Sequence, residues 1–209
     1  MTYQLSNEYS FQCRDSFDPS KYQDSAPWSH FVLDNLFDLK TFSAIQKQLV
    51  LTSNNFKISE EDPEQIQYQS LPDLNLAEKF LSQEFKSLLE KISGHSLEIY
   101  KKGALQLRRM TPESPEFPPH FDYIDHRTLV MLYYLSPSWN SQKGGELLLH
   151  KEQNSHWDSV DTKWVAPLEN RLVLFFCDET NWHSVRKVSN WNRFLIFAEW
   201  SLISESRNL

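Results

Sequence analysis

Four side chains at three separate places in this sequence carry the chemistry of a redox metal site. His120-Phe121-Asp122 sets an imidazole and a carboxylate two residues apart. On an extended chain residues i and i+2 face one side, and Pro118-Pro119 favours an extended chain just before them. His183 follows the apolar run Leu172 to Phe176 and a polar loop. Two imidazoles and one carboxylate on one face, with other coordination positions open, suit non-haem Fe(II). A zinc hydrolase could use similar ligands, although the chain has no HExxH and no evident general base beside the three. Arg193 opens the apolar run that ends at Trp200. An arginine in such company needs a partner, because burying a lone charge is costly. Its planar fork suits a carboxylate, supplied either by a ligand or by an internal Asp or Glu.

The elements that must position these residues follow from periodicity. Phe37, Phe42, Ile45, Leu49 and Val50 are spaced as one helix face, which predicts a helix over Phe37 to Leu51. Asn75 with Glu78 resembles a capping box, and Leu76, Phe80, Phe85, Leu88, Leu89 and Ile92 continue as a second apolar face that stops at Gly94. Phe31-Val32-Leu33 predicts a strand, and Asn54 to Leu74 a long polar loop. From Ser96 the apolar period falls towards two. Strands are expected around Leu97 to Leu107, then at Leu129 to Leu135, Glu146 to His150, Arg171 to Phe176, Ser184 to Val188 and Arg193 to Trp200. Helices followed by many short strands make an α+β chain, mainly β, with a sandwich or barrel-like core. The expected organisation is an arm or lid over 1–30 and one domain over 31–209, with helical support at 31–95 and the β core at 96–203.

Composition removes several classes. With 40% apolar residues in 209, the chain can bury a real core, which excludes global disorder. A net charge of −7 argues against a nucleic-acid partner. With only 4 Gly, and neither GxGxxG nor GxxxxGK[ST], a phosphate loop is excluded. Cys13 and Cys177 cannot form a disulfide framework and suit two reduced thiols in the cytoplasm. The first 15 residues lack the features of a signal peptide, and no apolar run approaches the length of a membrane span. Oligomeric state is left open.

Taken in order, the motifs resemble the Fe(II)/2-oxoglutarate-dependent dioxygenase superfamily, in its prolyl-4-hydroxylase-like branch. The matching pieces are His120-x-Asp122, Leu132 to Leu135, Gly144-Gly145-Glu146-Leu147, Asn170 to Phe176, His183-x-Val185, Arg193 and the Trp200 end, across roughly 97–200. Phe31 to Leu51 resembles the strand and helix that open this branch. The resemblance implies a double-stranded β-helix, a cupin-like jelly roll with N-terminal helices packed on one sheet. It implies Fe(II) held by His120, Asp122 and His183, and 2-oxoglutarate and O2 as co-substrates, with ascorbate as a further reductant. Arg193 would bind the distal carboxylate of 2-oxoglutarate, helped by Tyr134, which could equally be a plain core aromatic. The products would be succinate, CO2 and a hydroxylated C–H bond. Related halogenases replace the carboxylate with a small residue, so the intact Asp122 favours hydroxylation.

The substrate is less defined. By strand parity Gln106, Arg108 and Met110 face one way, and Glu199 shares parity with Arg193. The family often has a Tyr near Met110. Arg108, Glu199 and Gln106 are candidate substrate contacts, against the plainer readings of a surface arginine or an Arg108–Glu199 pair. A free amino acid or small metabolite competes with a prolyl residue in a peptide or protein, for which 62–72 or the first 30 residues would supply a mobile flap. Asp125-His126 is a decoy for the metal motif, and His30, His95, His150 and His156 lie outside any metal spacing. Trp139, Trp157, Trp164, Trp182 and Trp191 cluster around loops as a lid or as packing. A non-catalytic jelly-roll binding module and another metal-dependent enzyme on a cupin-like scaffold are the competing classes.

Overall fold

The structure is a computed structural model that describes Phe11 and residues 18–52, 55–58, 66–99, 105–122, 128–153, 155 and 158–203. Most of the proposed arm, the first part of the 62–72 loop, and Cys13, His126, His156 and Trp157 lie outside the described residues. In chain order the strands and helices are β1 (Gln23–Asp24), β2 (His30–Asp34), α1 (Leu39–Thr52), β3 (Lys57–Ile58), β4 (Gln67–Ser70), α2 (Leu74–Phe80), α3 (Gln83–Ser93), β5 (Leu97–Ile99), β6 (Gln106–Met110), β7 (Phe117–His120), β8 (Thr128–Tyr134), β9 (Leu147–Leu149), β10 (Lys163–Val165), β11 (Arg171–Phe176), β12 (His183–Val185) and β13 (Arg193–Leu202).

The strands form two antiparallel sheets. The larger runs β1-β2-β11-β8-β13-β6-β4-β3, with β5 also on β13, and the smaller runs β10-β9-β12-β7. Together they make the double-stranded β-helix, and the larger sheet has a distinct core on each face. Leu129, Met131 and Tyr133 of β8, with Phe194, Ile196 and Ala198 of β13, pack against Phe42, Ile45 and Leu49 of α1 and against α2 and α3. The alternate residues Val130, Leu132 and Tyr134, with Leu195 and Phe197, face Leu147, Leu149 and Val185 of the smaller sheet. This two-residue alternation makes both cores from single strands.

The second helix is split. Asp73 caps α2 by accepting from Asn75 N and Leu76 N, so the expected Asn75–Glu78 capping box is not the start. Ser82 then interrupts the helix: its hydroxyl donates to Lys79 O and accepts from Phe85 N, ending one helix and capping the next. Gly94, at φ 76°, closes α3 as expected. The segment read as a long loop contains β3 and β4, paired through Lys57↔Tyr68, with β4 laid on β6. These short strands at the end of the sheet are mostly polar, β3 exposed and β4 mostly half-buried, so no apolar period betrays them.

Asn170 joins the helical layer to the larger sheet. Its side-chain oxygen accepts from Tyr133 Oη at 2.9 Å and from Phe37 N at 3.0 Å, and its amide donates to Phe37 O at 2.8 Å. Its φ of 62° lies in the left-handed region, which Asn tolerates better than most residues. Tyr133 faces the helices, ringed by Phe37, Phe42 and Phe80. Burial pushes its phenol pKa well above the usual value.

Candidate metal centre and cavity

The strand-end geometry brings the distant ligand candidates together. β7 and β12 are neighbours, and His120 and His183 are register partners. Strand pairing ends at His120, so Asp122 follows the strand rather than belonging to it. Even so, one ligating atom from each of His120, Asp122 and His183 lies within 4.8 Å of the others. The Asp122 carboxylate oxygens are 3.9 Å from His120 Nε2 and 3.7 Å from His183 Nε2.

Backbone carbonyls orient both imidazoles. His120 Nδ1 lies 2.8 Å from Pro118 O, and His183 Nδ1 lies 3.0 Å from Asn181 O. A carbonyl oxygen only accepts, so each Nδ1 carries the proton and each Nε2 lone pair faces the shared space. His183 is buried; burial lowers its pKa, the Asp122 carboxylate opposes that shift and the His120 ring adds to it. A neutral imidazole is the form that binds a metal. Three donors of this type on one side suit Fe(II), leaving positions for other ligands.

Trp28 braces the same centre from the N-terminal segment. Its indole N–H donates to His150 O at 3.0 Å and to Trp182 O at 3.3 Å. Those carbonyls come from the residues immediately after β9 and immediately before β12, where His150 N also donates to Trp182 O at 2.8 Å. The Trp28 ring packs edge-on against His183 and Phe175, with centroids 6.5 and 5.6 Å apart. Sequence reasoning passed over Trp28; a large aromatic two residues before a buried strand was the available signal.

A cavity of about 540 Å³ opens beside the three ligand candidates and runs to Arg193. Arg193 is buried, and its Nη2 donates to Tyr134 Oη at 3.2 Å. Its Nε is buried with no hydrogen-bond partner among the described residues. A fork aimed into a cavity with an unmet donor fits an incoming carboxylate. Gly145 makes room for it: a Cβ there would lie 3.1 Å from Arg193 Cδ and 2.9 Å from Val188 Cγ1, and the φ of 79° favours glycine independently.

The remaining candidates divide. Arg108 and Glu199 line the cavity with Met110, Leu195 and Phe197. Gln106 stands behind Arg108 instead, its Oε1 accepting from Arg108 Nε at 2.9 Å. Met110 is buried and is the register partner of Arg193. Cys177 is a buried free thiol. Burial, and then the charges of Asp122 and Glu199, push its pKa far above the usual range. Trp139 and Trp191 pin loops by donating to Gly144 O and Pro137 O. His150 holds Ser184 Oγ at 2.7 Å and Thr162 Oγ1 at 3.2 Å, and takes no part in the metal cluster.

Comparison with known proteins agrees with this geometry. The family model described as the 2OG-Fe(II) oxygenase superfamily matches residues 105–200. The chain is 24% identical over 174 residues to mouse (Mus musculus) prolyl 3-hydroxylase OGFOD1, a match covering 79% of this chain and 31% of that protein. It therefore spans about a third of that relative's length. A Trichoplax adhaerens prolyl hydroxylase, solved with a hypoxia inducible factor oxygen degradation domain peptide, superposes with TM-score 0.62 at 21% identity over 83% of each chain. A Pseudomonas putida prolyl-4-hydroxylase superposes with TM-score 0.61 at 14% identity, covering 84% of this chain and 93% of that one.

Proposed function

Residues 105–200 carry the sequence of the 2OG-Fe(II) oxygenase superfamily, and on that premise we propose that the protein is an Fe(II)- and 2-oxoglutarate-dependent dioxygenase that hydroxylates an unactivated C–H bond. The observation that carries the reading is Arg193, buried with an Nε that has no hydrogen-bond partner among the described residues, and opening into the same cavity as His120, Asp122 and His183.

His120 Nε2, Asp122 and His183 Nε2 would hold Fe(II). Fe(II) with 2-oxoglutarate and O2 supplies the oxidising chemistry, yielding succinate and CO2. Arg193 and the Tyr134 hydroxyl would fix the distal carboxylate, which sets the other end of 2-oxoglutarate toward the three ligands. Val130, Leu132, Leu195 and Phe197 give the cavity apolar walls beside the reacting centre. Asp122 occupies the third ligand position with a carboxylate, which favours hydroxylation over halide transfer.

The substrate is either a free amino acid or small metabolite, or a prolyl residue in a peptide or protein. The peptide bound to the Trichoplax neighbour supports the second class. We take 31–209 as one catalytic domain onto which the segment from residue 18 is stitched by β1 and Trp28. Among the described residues no helix is long and apolar enough to cross a membrane. The buried free thiol of Cys177 suits a reducing compartment such as the cytoplasm.

The test is succinate release by purified, iron-loaded protein given 2-oxoglutarate and a panel of free amino acids, small metabolites and Pro-containing peptides. Release that depends on both iron and 2-oxoglutarate is expected. A protein that neither binds 2-oxoglutarate nor releases succinate would overturn the reading.

A further inference from the structure

His150 is fully buried on the far side of the smaller sheet from the metal ligands. Side chains alternate along β9 and beyond its end. Leu147 and Leu149 belong to the core between the sheets. Leu148 and His150 instead line a second cavity of about 390 Å³ behind the smaller sheet, with Ser184 beside them. A ring hidden there must find partners for both nitrogens, because an unmet one is costly. Nε2 lies 2.7 Å from Ser184 Oγ and Nδ1 lies 3.2 Å from Thr162 Oγ1. Each hydroxyl can donate or accept, so a neutral ring is satisfied in either tautomer.

These bonds bracket His183. The backbone N–H of His150 donates to Trp182 O, one residue before the ligand candidate, and the ring holds Ser184 Oγ, one residue after it. The His150 carbonyl accepts from Trp28 Nε1, which also donates to Trp182 O. Asn181 O orients the His183 ring, but the backbone beneath that ring is placed from the β9 side. The other neighbour of β12 offers less. The β7 register shifts between His183 and Val185, and Pro118 and Pro119 have no N–H to give to the ladder.

Resting on the metal-site reading, we propose that His150 is a positioning residue for His183, clamping Trp182 with its backbone and Ser184 with its ring from the opposite face of the sheet. Metal ligands must be held to within about 0.5 Å of their working geometry. Outer partners of a ligand typically carry about ten- to a hundredfold of metal affinity. His150 acts one step further out, through the residues on either side of the ligand, so an effect at the low end of that range is expected.

The experiment reads metal affinity directly, with Co(II) as the probe because its visible bands report ligand geometry. His150→Phe keeps a buried ring and loses the bond to Ser184, and Ser184→Ala loses the same bond from its other end. Co(II) should bind about tenfold more weakly to His150→Phe and about threefold more weakly to Ser184→Ala, with altered visible bands in both. The double variant should bind no more weakly than His150→Phe alone, since one shared bond can be lost only once. A residue that serves the fold alone would lower the melting temperature of the metal-free protein and leave Co(II) affinity and bands as in the parent. That result, or losses that add in the double variant, would overturn the proposal. Should His150→Phe fail to fold, Ser184→Ala decides by the same two readouts. A parent protein that binds no Co(II), or binds it equally well after His183→Ala, overturns the metal centre itself rather than the clamp behind it.

Discussion

Nη2 of Arg193 donates to the Tyr134 hydroxyl oxygen across 3.2 Å inside the sandwich. Accepting from arginine leaves the Tyr134 proton free to be donated, so one carboxylate can take bonds from both residues. Arg193→Ala should weaken 2-oxoglutarate binding by about a hundredfold or more, and Tyr134→Phe by about three- to tenfold. Iron binding should survive both changes. Calorimetric titration of each variant with 2-oxoglutarate checks this, and equal affinity in Arg193→Ala would remove the residue from the site.

Trp28 should matter to the metal more than to the fold. Its indole N–H spans His150 O and Trp182 O, next to the strand that begins with His183. Trp28→Phe keeps an aromatic ring against His183 and loses both bonds. Fe(II) affinity is expected to fall by about tenfold or more, measured by competition with a chelator. Affinity equal to that of the parent protein would reduce Trp28 to simple packing.

Asn170→Ala should be among the costlier single changes. It removes the bonds that the side chain makes to the Tyr133 hydroxyl and to the backbone of Phe37, and it places Ala at positive φ. A loss of about 3 kcal/mol is expected, or roughly 6–12 °C in Tm. Calorimetry of the folded protein reads this directly, and a shift under 2 °C, by the same scaling, would contradict the role assigned to the side chain.

Stability should fall on mild acidification. His30 is fully buried, its Nδ1 meets Trp28 O, and its Nε2 has no partner among the described residues. Burial lowers its pKa, only partly offset by the Trp28 carbonyl. The folded pKa thus lies below the unfolded value of about 6.5. Above 6.5 the ring is neutral in both states and stability is full. As pH drops below that value the unfolded chain takes the proton first, and stability is lost until the folded pKa is reached. His150, also lowered by burial, pushes the same way. Urea unfolding at pH 7.5 and 5.5 should show a drop that shrinks in His30→Gln; an identical drop would exclude His30.

Much of the placement of the candidate site is legible in the sequence. His183 follows the apolar run of β11 and a polar loop, and Arg193 opens the apolar run of β13, so both fall at strand starts that composition marks. The inward face of Tyr134 and the outward face of Tyr133 followed from the same alternation. What escaped had no periodic signature. β3 and β4 are short, mostly polar strands at the end of the sheet, recognisable only once β6 offers its edge. The break between α2 and α3 depends on one serine competing for backbone bonds. Trp28 and Asn170 act through contacts more than a hundred residues away, which local pattern cannot announce.

Strand β8 separates two kinds of consequence. Its odd-numbered side chains from Leu129 to Tyr133 look into the helical layer, and its even-numbered ones from Val130 to Tyr134 into the cavity side. A saturation library over 129–134 would then score in a zigzag. Every second codon should govern how much protein accumulates, and the codons between should govern how fast it turns over.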